Sequence, residues 1–338
     1  MDMIKNGWIP LSQYIFIFIV STISSLIICF ALWMIRYLTK KNNFECAPSL
    51  LVYLFSLLFS SFCLSIQYFL LLAFTFFFKT TTKIIFWTGL FPGSLLPAAP
   101  VSVLFLSLDR LLIVLTPHIY FKKAPKYILA SASLTTIFIL FFINLIVNYL
   151  ERPLNEISEC ISFGCLTSDA SRLIYAINRL VVALPNFISG SIFLVILFAH
   201  RRRFEKQFGN NKQKIKENIS LNKSKRMGNR LALWVVIFEF LLDLLPNTIN
   251  FLLTAFFDIN ISVYVGAFRS LTFCLNSLFA SSTHTKILWH IFSSSKIIPS
   301  SKTINGRPTI LQQNNLFIKS SSNNNNLPGI INPEILNN

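Results

Sequence analysis

The chain has 338 residues, of which 54% are hydrophobic and only 13% charged, and its formal net charge at pH 7 is +17. This length predicts one helical bundle with short loops and a modest tail, without a separate globular domain. The mean hydropathy of +0.61 argues against the alternative of a soluble protein with a large buried helical core.

Seven long apolar stretches follow one another along the chain. Each supplies the roughly 20 apolar residues that a helix needs to cross the hydrocarbon core of a bilayer. Because lipid offers no water to backbone N–H and C=O groups, such stretches must be helical. The sequence therefore predicts an all-α membrane protein, a bundle of seven transmembrane helices. The predicted spans are residues 11 to 35, 47 to 78, 84 to 115, 127 to 150, 173 to 199, 231 to 257 and 263 to 285.

Basic residues lie on alternate connections between these spans. If the N-terminus is outside, the internal loops hold 17 Lys and Arg and the external segments hold 5. Since Lys and Arg are enriched in cytoplasmic loops, we expect an external N-terminus and a cytoplasmic C-terminus. The positive charge also predicts contact with anionic lipid of the inner leaflet. It does not predict nucleic-acid binding, because no recognition motif accompanies it.

Residues 1 to 290 form the predicted seven-span domain. Residues 291 to 338 are rich in Ser and Asn, a composition that buries too little apolar surface to offset chain entropy, and we expect a disordered cytoplasmic tail. At the junction, residues 286 to 292 have the pattern of a short amphipathic helix that lies on the membrane.

Two cysteines, Cys160 and Cys165, share the external loop of residues 151 to 172. Because the outside of the cell is oxidising, they are a candidate disulfide. The four histidines show no metal-ligand spacing, and no Gly-rich phosphate loop is present. The sequence therefore predicts no metal, no cofactor and no enzymatic activity.

Ionisable residues interrupt the apolar spans at four places. Arg179 lies in the fifth span, Glu239 and Asp243 in the sixth, and Arg269 in the seventh. Glu239 and Asp243 are four residues apart and share a helix face. Intramembrane charges tend to line interior pathways, which indicates a polar patch in a cavity. Two alternatives remain: the arginines extend to the interface, or Asp243 makes a structural pair without contacting a ligand.

Proline interrupts the fifth span at Pro185 and the sixth at Pro246. A proline inside a helix removes one backbone hydrogen bond and kinks the helix. Both positions are therefore candidate helix bends.

The third span ends in Leu-Ser-Leu-Asp109-Arg110-Leu-Leu-Ile-Val, followed by Pro117 and Tyr120. One interpretation is a helix-end marker whose Arg extends into water. An Asp-Arg pair at this place also resembles the rhodopsin-like G-protein-coupled receptors. That resemblance implies that Asp109 and Arg110 lie at the cytoplasmic crevice that engages a G protein.

Several departures separate the chain from mainstream receptors of that group. Leu111 replaces the usual Tyr, the second span has no acidic residue, and the fourth has no Trp. Ile85 stands where a disulfide-forming Cys would be expected, and Asn276-Ser-Leu-Phe279 is at best a remnant of Asn-Pro-x-x-Tyr. This partial retention resembles the nematode serpentine chemoreceptors. The text from Asn178 to Gly190, with the Asp109-Arg110 segment, is most similar to class bc (Srbc).

The resemblance implies a G-protein-coupled chemosensory receptor of the odorant type in the plasma membrane, with the sensory cilium membrane as one location. Its expected partners are a small-molecule ligand, a heterotrimeric G protein and membrane lipid. Arg179, Glu239, Asp243 and Arg269 are then candidates for the ligand cavity. The alternative function is a seven-span transporter or channel subunit, which would require polar residues along several spans. The first, second and fourth spans offer few.

Overall fold

The computed structural model describes residues 8–42, 46–77, 82–116, 123–152, 162–208, 237–238, 241–242, 245–257 and 267–297. The chain divides into two units, Met1–Phe292 and Ser293–Asn338, and the second is described only at residues 293–297. The predicted Ser/Asn-rich tail thus lies almost entirely outside the described residues. The helices are α1 (Trp8–Asn42), α2 (Pro48–Phe77), α3 (Thr82–Leu95), α4 (Pro100–Leu115), α5 (Lys123–Leu150), α6 (Phe163–Leu166), α7 (Asp169–Phe208), α8 (Leu245–Phe257) and α9 (Phe268–Ile297).

Within the described part of the chain every regular element is a helix, which confirms the all-α prediction. Among the described residues, five stretches are long and apolar enough to cross a bilayer: Leu11–Lys41, Pro48–Phe77, Thr82–Ile113, Ala124–Leu150 and Leu173–Ile196. Their outward faces are apolar, since Leu26, Phe62, Phe138 and Val195 are each more than half exposed. Such an apolar surface suits a bilayer, because the hydrocarbon core contains neither water nor polar groups.

The third span lies at the centre of the bundle and is built from two helices. In its most apolar window 72% of the residues are buried, against 28% to 50% in the other four spans. Pro97 and Pro100 lack the N–H that an α-helix needs, so the chain turns tightly between α3 and α4. There the N–H of Ala98 bonds the Leu95 carbonyl at 3.0 Å, and the N–H of Val101 bonds the Ala98 carbonyl at 3.2 Å. The predicted span of residues 84 to 115 is therefore interrupted at its middle.

A buried serine cluster joins α1, α2 and α9. The Ser277 hydroxyl lies 2.8 Å from the Ser24 oxygen and 2.9 Å from the Ser61 oxygen. All three side chains are at most 1% exposed. Because apolar side chains gain nothing by leaving lipid for each other, hydrogen bonds of this kind contribute directly to helix association.

The helix α9 continues without a break from Phe268 to Ile297. Its last turns pack against α1, where the Phe292 ring lies 5.4 Å from that of Tyr37 and 6.5 Å from that of Trp33. The prediction of a short amphipathic helix that lies on the membrane at residues 286 to 292 is thus wrong. These aromatic contacts hold residues 286 to 292 against the bundle as part of α9.

The sixth predicted span, residues 231 to 257, is described only in part. Leu241 and Leu242 have π-helical conformation, and α8 begins at Leu245, just before Pro246. π-helical turns and prolines are both common sites of helix kinks. Pro246 therefore stays a candidate helix bend.

We expect the variant Ser277→Ala to unfold at a lower temperature than the parent protein. The change removes two interhelical hydrogen bonds, each of which contributes about 0.6 kcal/mol on average within membranes and at most about 1.7. The measurement is the thermal midpoint of the purified protein in detergent. The matched control is Ser282→Ala, an exposed position of the same helix. Equal midpoints for the two variants would contradict the role of the serine cluster.

Candidate functional site

A small cavity of about 40 Å³ lies among α2, α3, α5, α7 and α9 and the loop that carries α6. Its lining combines amides, hydroxyls, three aromatic rings and a guanidinium with glycines. Its residues are Gln67, Tyr68, Gly89, Gly93, Leu96, Asn148, Ser162, Phe163, Gly164, Thr167, Ser171, Tyr175, Ala267, Arg269 and Ser270. A concave site with a few convergent polar groups is the usual form of a small-molecule site.

Two arginines converge on one aromatic ring at this cavity. The guanidinium carbon of Arg269 lies 4.0 Å from the ring centroid of Tyr175, and that of Arg179 lies 5.9 Å from it. The Nε–H of Arg179 also donates to the Tyr175 hydroxyl at 3.3 Å. Tyr175 and Arg179 are one helical turn apart on α7, which places both on the same face.

Arg179 is only 2% exposed and lies inside the bundle rather than extending to the interface. A cation over the face of Tyr is attracted by the ring quadrupole, most strongly where water is excluded. The structure therefore brings Arg179 and Arg269 together, as one polar patch would require. Glu239 and Asp243, the two acidic candidates, lie outside the described residues.

Asparagines of the fourth span make a polar chain that reaches the cavity. Asn148 donates to the Ser94 hydroxyl at 3.0 Å and accepts from the Ser171 hydroxyl at 2.5 Å, which links α3, α5 and α7. One turn away, Asn178 donates to Asn144 at 3.2 Å. The expectation that the fourth span offers little polarity is thus wrong. The spacing of Asn144 and Asn148 by four residues was the signal in the sequence, since it places both on one face.

The loop between α5 and α7 contributes the short helix α6, which packs on the cavity. The N–H of Cys165 bonds the Ser162 carbonyl at 3.1 Å, and the Thr167 hydroxyl bonds the Gly164 carbonyl at 3.0 Å. Cys165 is disulfide-bonded, whereas Cys29, Cys46, Cys63 and Cys274 are free. Cys160 lies outside the described residues, and the Cys160–Cys165 bridge stays a prediction.

At the other end of the third span, Asp109 and Arg110 face opposite ways. Asp109 is fully buried beside Ser49 of α2. Arg110 is exposed. The two side chains thus lie in different surroundings, and the Arg110 charge acts electrostatically on the Asp109 carboxylate.

Arg110 lies near the loop between α1 and α2 and near helix α9. Its guanidinium acts electrostatically on Cys46, ahead of α2, and on His284 of α9. Burial raises the pKa of the Cys46 thiol to about 11, and the Arg110 charge opposes that rise. The His284 ring packs edge-on against Tyr53, with centroids 5.3 Å apart. An exposed cation at this place is suited to meet an anionic or hydrogen-bonding partner.

The two candidate bend prolines lie in different surroundings. Pro185 is exposed on the outside of α7, which continues through it to Phe208. Pro246 is half-buried and lies in the first turn of α8. Both prolines stay candidate helix bends.

Residues 8–287 match the family described as serpentine type 7TM GPCR chemoreceptor Srbc. No curated protein matches the chain. The family match covers the first predicted span through the seventh. Both the seven-span prediction and the resemblance to nematode serpentine chemoreceptors of class bc are confirmed by it.

We expect thermal stability to fall in the order parent, Tyr175→Phe, Tyr175→Leu. The Phe variant keeps the ring beneath Arg269 but loses the acceptor of Arg179, while the Leu variant loses both. A cation–π contact in a desolvated site is worth about 2 kcal/mol, and a hydrogen bond to a charged group about 1.5–3 kcal/mol. Thermal midpoints in detergent measure the order, with Tyr127→Leu at an exposed position as the control. A Leu variant as stable as the Phe variant would show that the ring does not hold the arginines.

Proposed function

The chain belongs to the Srbc family of serpentine seven-transmembrane chemoreceptors, and we propose that it binds a small external molecule inside the helix bundle and activates a heterotrimeric G protein. The family is a chemosensory one and not a family of enzymes. The observation that carries the proposal is the cavity beside Tyr175, where amide, hydroxyl and guanidinium groups converge within an otherwise apolar bundle. Buried polar groups of this kind give a ligand its orientation.

The cavity and Arg110 occupy opposite ends of the third span. Gly93 borders the cavity and Arg110 lies 17 residues further on, about 25 Å at the rise of an α-helix. Between them Ser107 donates to Asn186 at 3.0 Å, which ties α4 to α7. A ligand that prefers one arrangement of these helices shifts the population of the bundle by its difference in affinity for the two arrangements. Pro246 is the candidate bend that we assign to this shift.

A transporter or channel would need polar residues that face a water-filled path. In the described helices, several polar groups of the first, second and fourth spans instead make hydrogen bonds across helix contacts. Ser24, Ser61 and Ser277 form one such contact, and Asn148 with Ser171 forms another. This pattern supports a packed signalling bundle over a conduction path.

We place this multi-span protein in the plasma membrane, including that of sensory cilia, with its N-terminus outside. The support for this orientation is the excess of Lys and Arg in the internal loops. The cavity loop at Cys165 then lies in the oxidising exterior, where a disulfide persists. Arg110 and the basic third loop lie in the cytoplasm beside anionic lipid.

We expect Arg110→Ala to lower G-protein activation at least about tenfold while ligand binding and surface expression stay near those of the parent. The exposed guanidinium is remote from the cavity, so its removal affects coupling rather than the ligand site. Cells that express the receptor are screened with small alcohols, aldehydes, ketones and carboxylates, and GTP exchange on the G protein is measured with each active compound. An N-terminal epitope stained on intact cells reports both surface expression and orientation.

The matched control is Arg36→Ala, which removes an exposed arginine at the end of the first span. Unchanged signalling by Arg110→Ala would make Asp109-Arg110 a helix-end marker only. An evoked membrane current that persists without G protein would favour the channel instead. An N-terminal epitope stained only after permeabilisation would overturn the orientation.

A further inference from the structure

The ring of Phe163, at the start of α6, lies in a groove formed by two glycines of α3. A Cβ placed on Gly89 would lie 2.5 Å from the Cβ of Phe163, and a Cβ on Gly93 would collide with the far edge of the same ring. The glycines are four residues apart and face the same side of the helix. Any side chain at either position would therefore displace the ring. The groove is shaped to a phenyl group.

Phe163 packs against the hydrophobic core of the bundle as a partly buried side chain. Its ring meets that of Phe86 at a centroid distance of 5.8 Å and is only half-buried. It belongs to a four-residue helix in the external loop, next to the disulfide-bonded Cys165. The ring thus enters the bundle from the loop and is not part of a transmembrane helix. A group from solution that resembles it competes for the same place.

The cavity beside the groove is lined by a buried amide. Gln67 of α2 is 5% exposed and lines the cavity. Its amide oxygen can accept a hydrogen bond, and its amide nitrogen can donate one, to a polar group placed there. The cavity of about 40 Å³ has room for a small polar group but not for a ring as well. A larger ligand fits only when the Phe163 ring leaves.

We propose that this groove and cavity form one binding subsite for a small neutral molecule with a phenyl-sized apolar body and a single oxygen. The body takes the place of the Phe163 ring against Gly89 and Gly93, and the oxygen bonds the Gln67 amide. Phe163 therefore acts as an intramolecular competitor that sets the size of ligand admitted. The assignment rests on the proposed function of the chain as a receptor for small external molecules.

The test uses purified full-length receptor and two matched probes, benzyl alcohol and toluene, which share a ring and differ by a hydroxyl. In Phe163→Ala the groove is empty, so benzyl alcohol raises the thermal midpoint saturably and binds about tenfold more tightly than it does to the parent, which must first release its own ring. Toluene binds the same variant about fivefold to tenfold more weakly than benzyl alcohol, because it has no oxygen to bond the Gln67 amide.

Two further variants separate the subsite from partition of the probes into detergent. Adding Gly93→Leu to Phe163→Ala refills the groove and abolishes saturable binding of both probes. Adding Gln67→Met instead keeps the shape and removes the preference for benzyl alcohol. Saturable binding that survives Gly93→Leu would overturn the groove, and a preference that survives Gln67→Met would overturn the amide contact.

If Phe163→Ala yields no folded protein, the same binding measurements are made on Phe163→Val and its two double variants. The shorter side chain of Val still leaves the outer part of the groove empty. Failure of the probes to stabilise this variant would also overturn the proposal. None of these measurements requires a G protein. Binding without any signalling would leave the subsite standing and reject the proposed coupling, whereas signalling without binding here would reject the subsite alone.

Discussion

A guanidinium buried within a membrane bundle is the constraint on which the rest of this structure depends. Arg179 is almost completely removed from solvent, and an isolated charge in such a place costs several kcal/mol even after relaxation. Tyr175 stabilises this charge, because its hydroxyl accepts a hydrogen bond from Arg179, and its ring face also contacts the Arg269 guanidinium. Because these residues lie on α7 and α9, holding the charges also holds two helices at a defined spacing around the cavity.

The remaining polar contacts extend this arrangement across the bundle. Asn148 joins α3, α5 and α7 beside the cavity, and Ser277 joins α1, α2 and α9. The helices α2, α3, α5, α7 and α9, which line the cavity, are thus each tied to a neighbour by a directional bond, which apolar packing in lipid does not provide. We propose that a ligand that alters one of these ties changes the relative position of the helices, including α9, whose His284 lies near Arg110. This is the physical basis that we propose for coupling between the two ends of the third span.

The sequence predicted the architecture well, because bilayer thickness and backbone hydrogen bonding leave few alternatives to a helix for each long apolar run. It also identified Arg179, Arg269, Asp109 and Arg110 by their charge alone. It did not identify Tyr175, Gln67 or Phe163, since a tyrosine, an amide or a phenylalanine in an apolar run carries no sign of which partner it meets. The break at residues 96 to 99 was foreseeable from Pro97 and Pro100, whereas the fusion of residues 286 to 292 with α9 depends on tertiary contacts of Phe292 with α1.

The most direct test of how the buried charge is balanced is a double-mutant cycle on Asp243 and Arg269. The measured quantities are surface expression and ligand response for Asp243→Asn, Arg269→Gln and the double variant. Each single change leaves an uncompensated charge, so we predict that either lowers expression and that the double variant recovers it, with a coupling of about 0.5–3 kcal/mol. Ligand response should remain low in the double variant, because the polar patch is gone. Strictly additive effects in both readouts would contradict the account, and Arg269 would then be held by Tyr175 without an acidic partner in the sixth span.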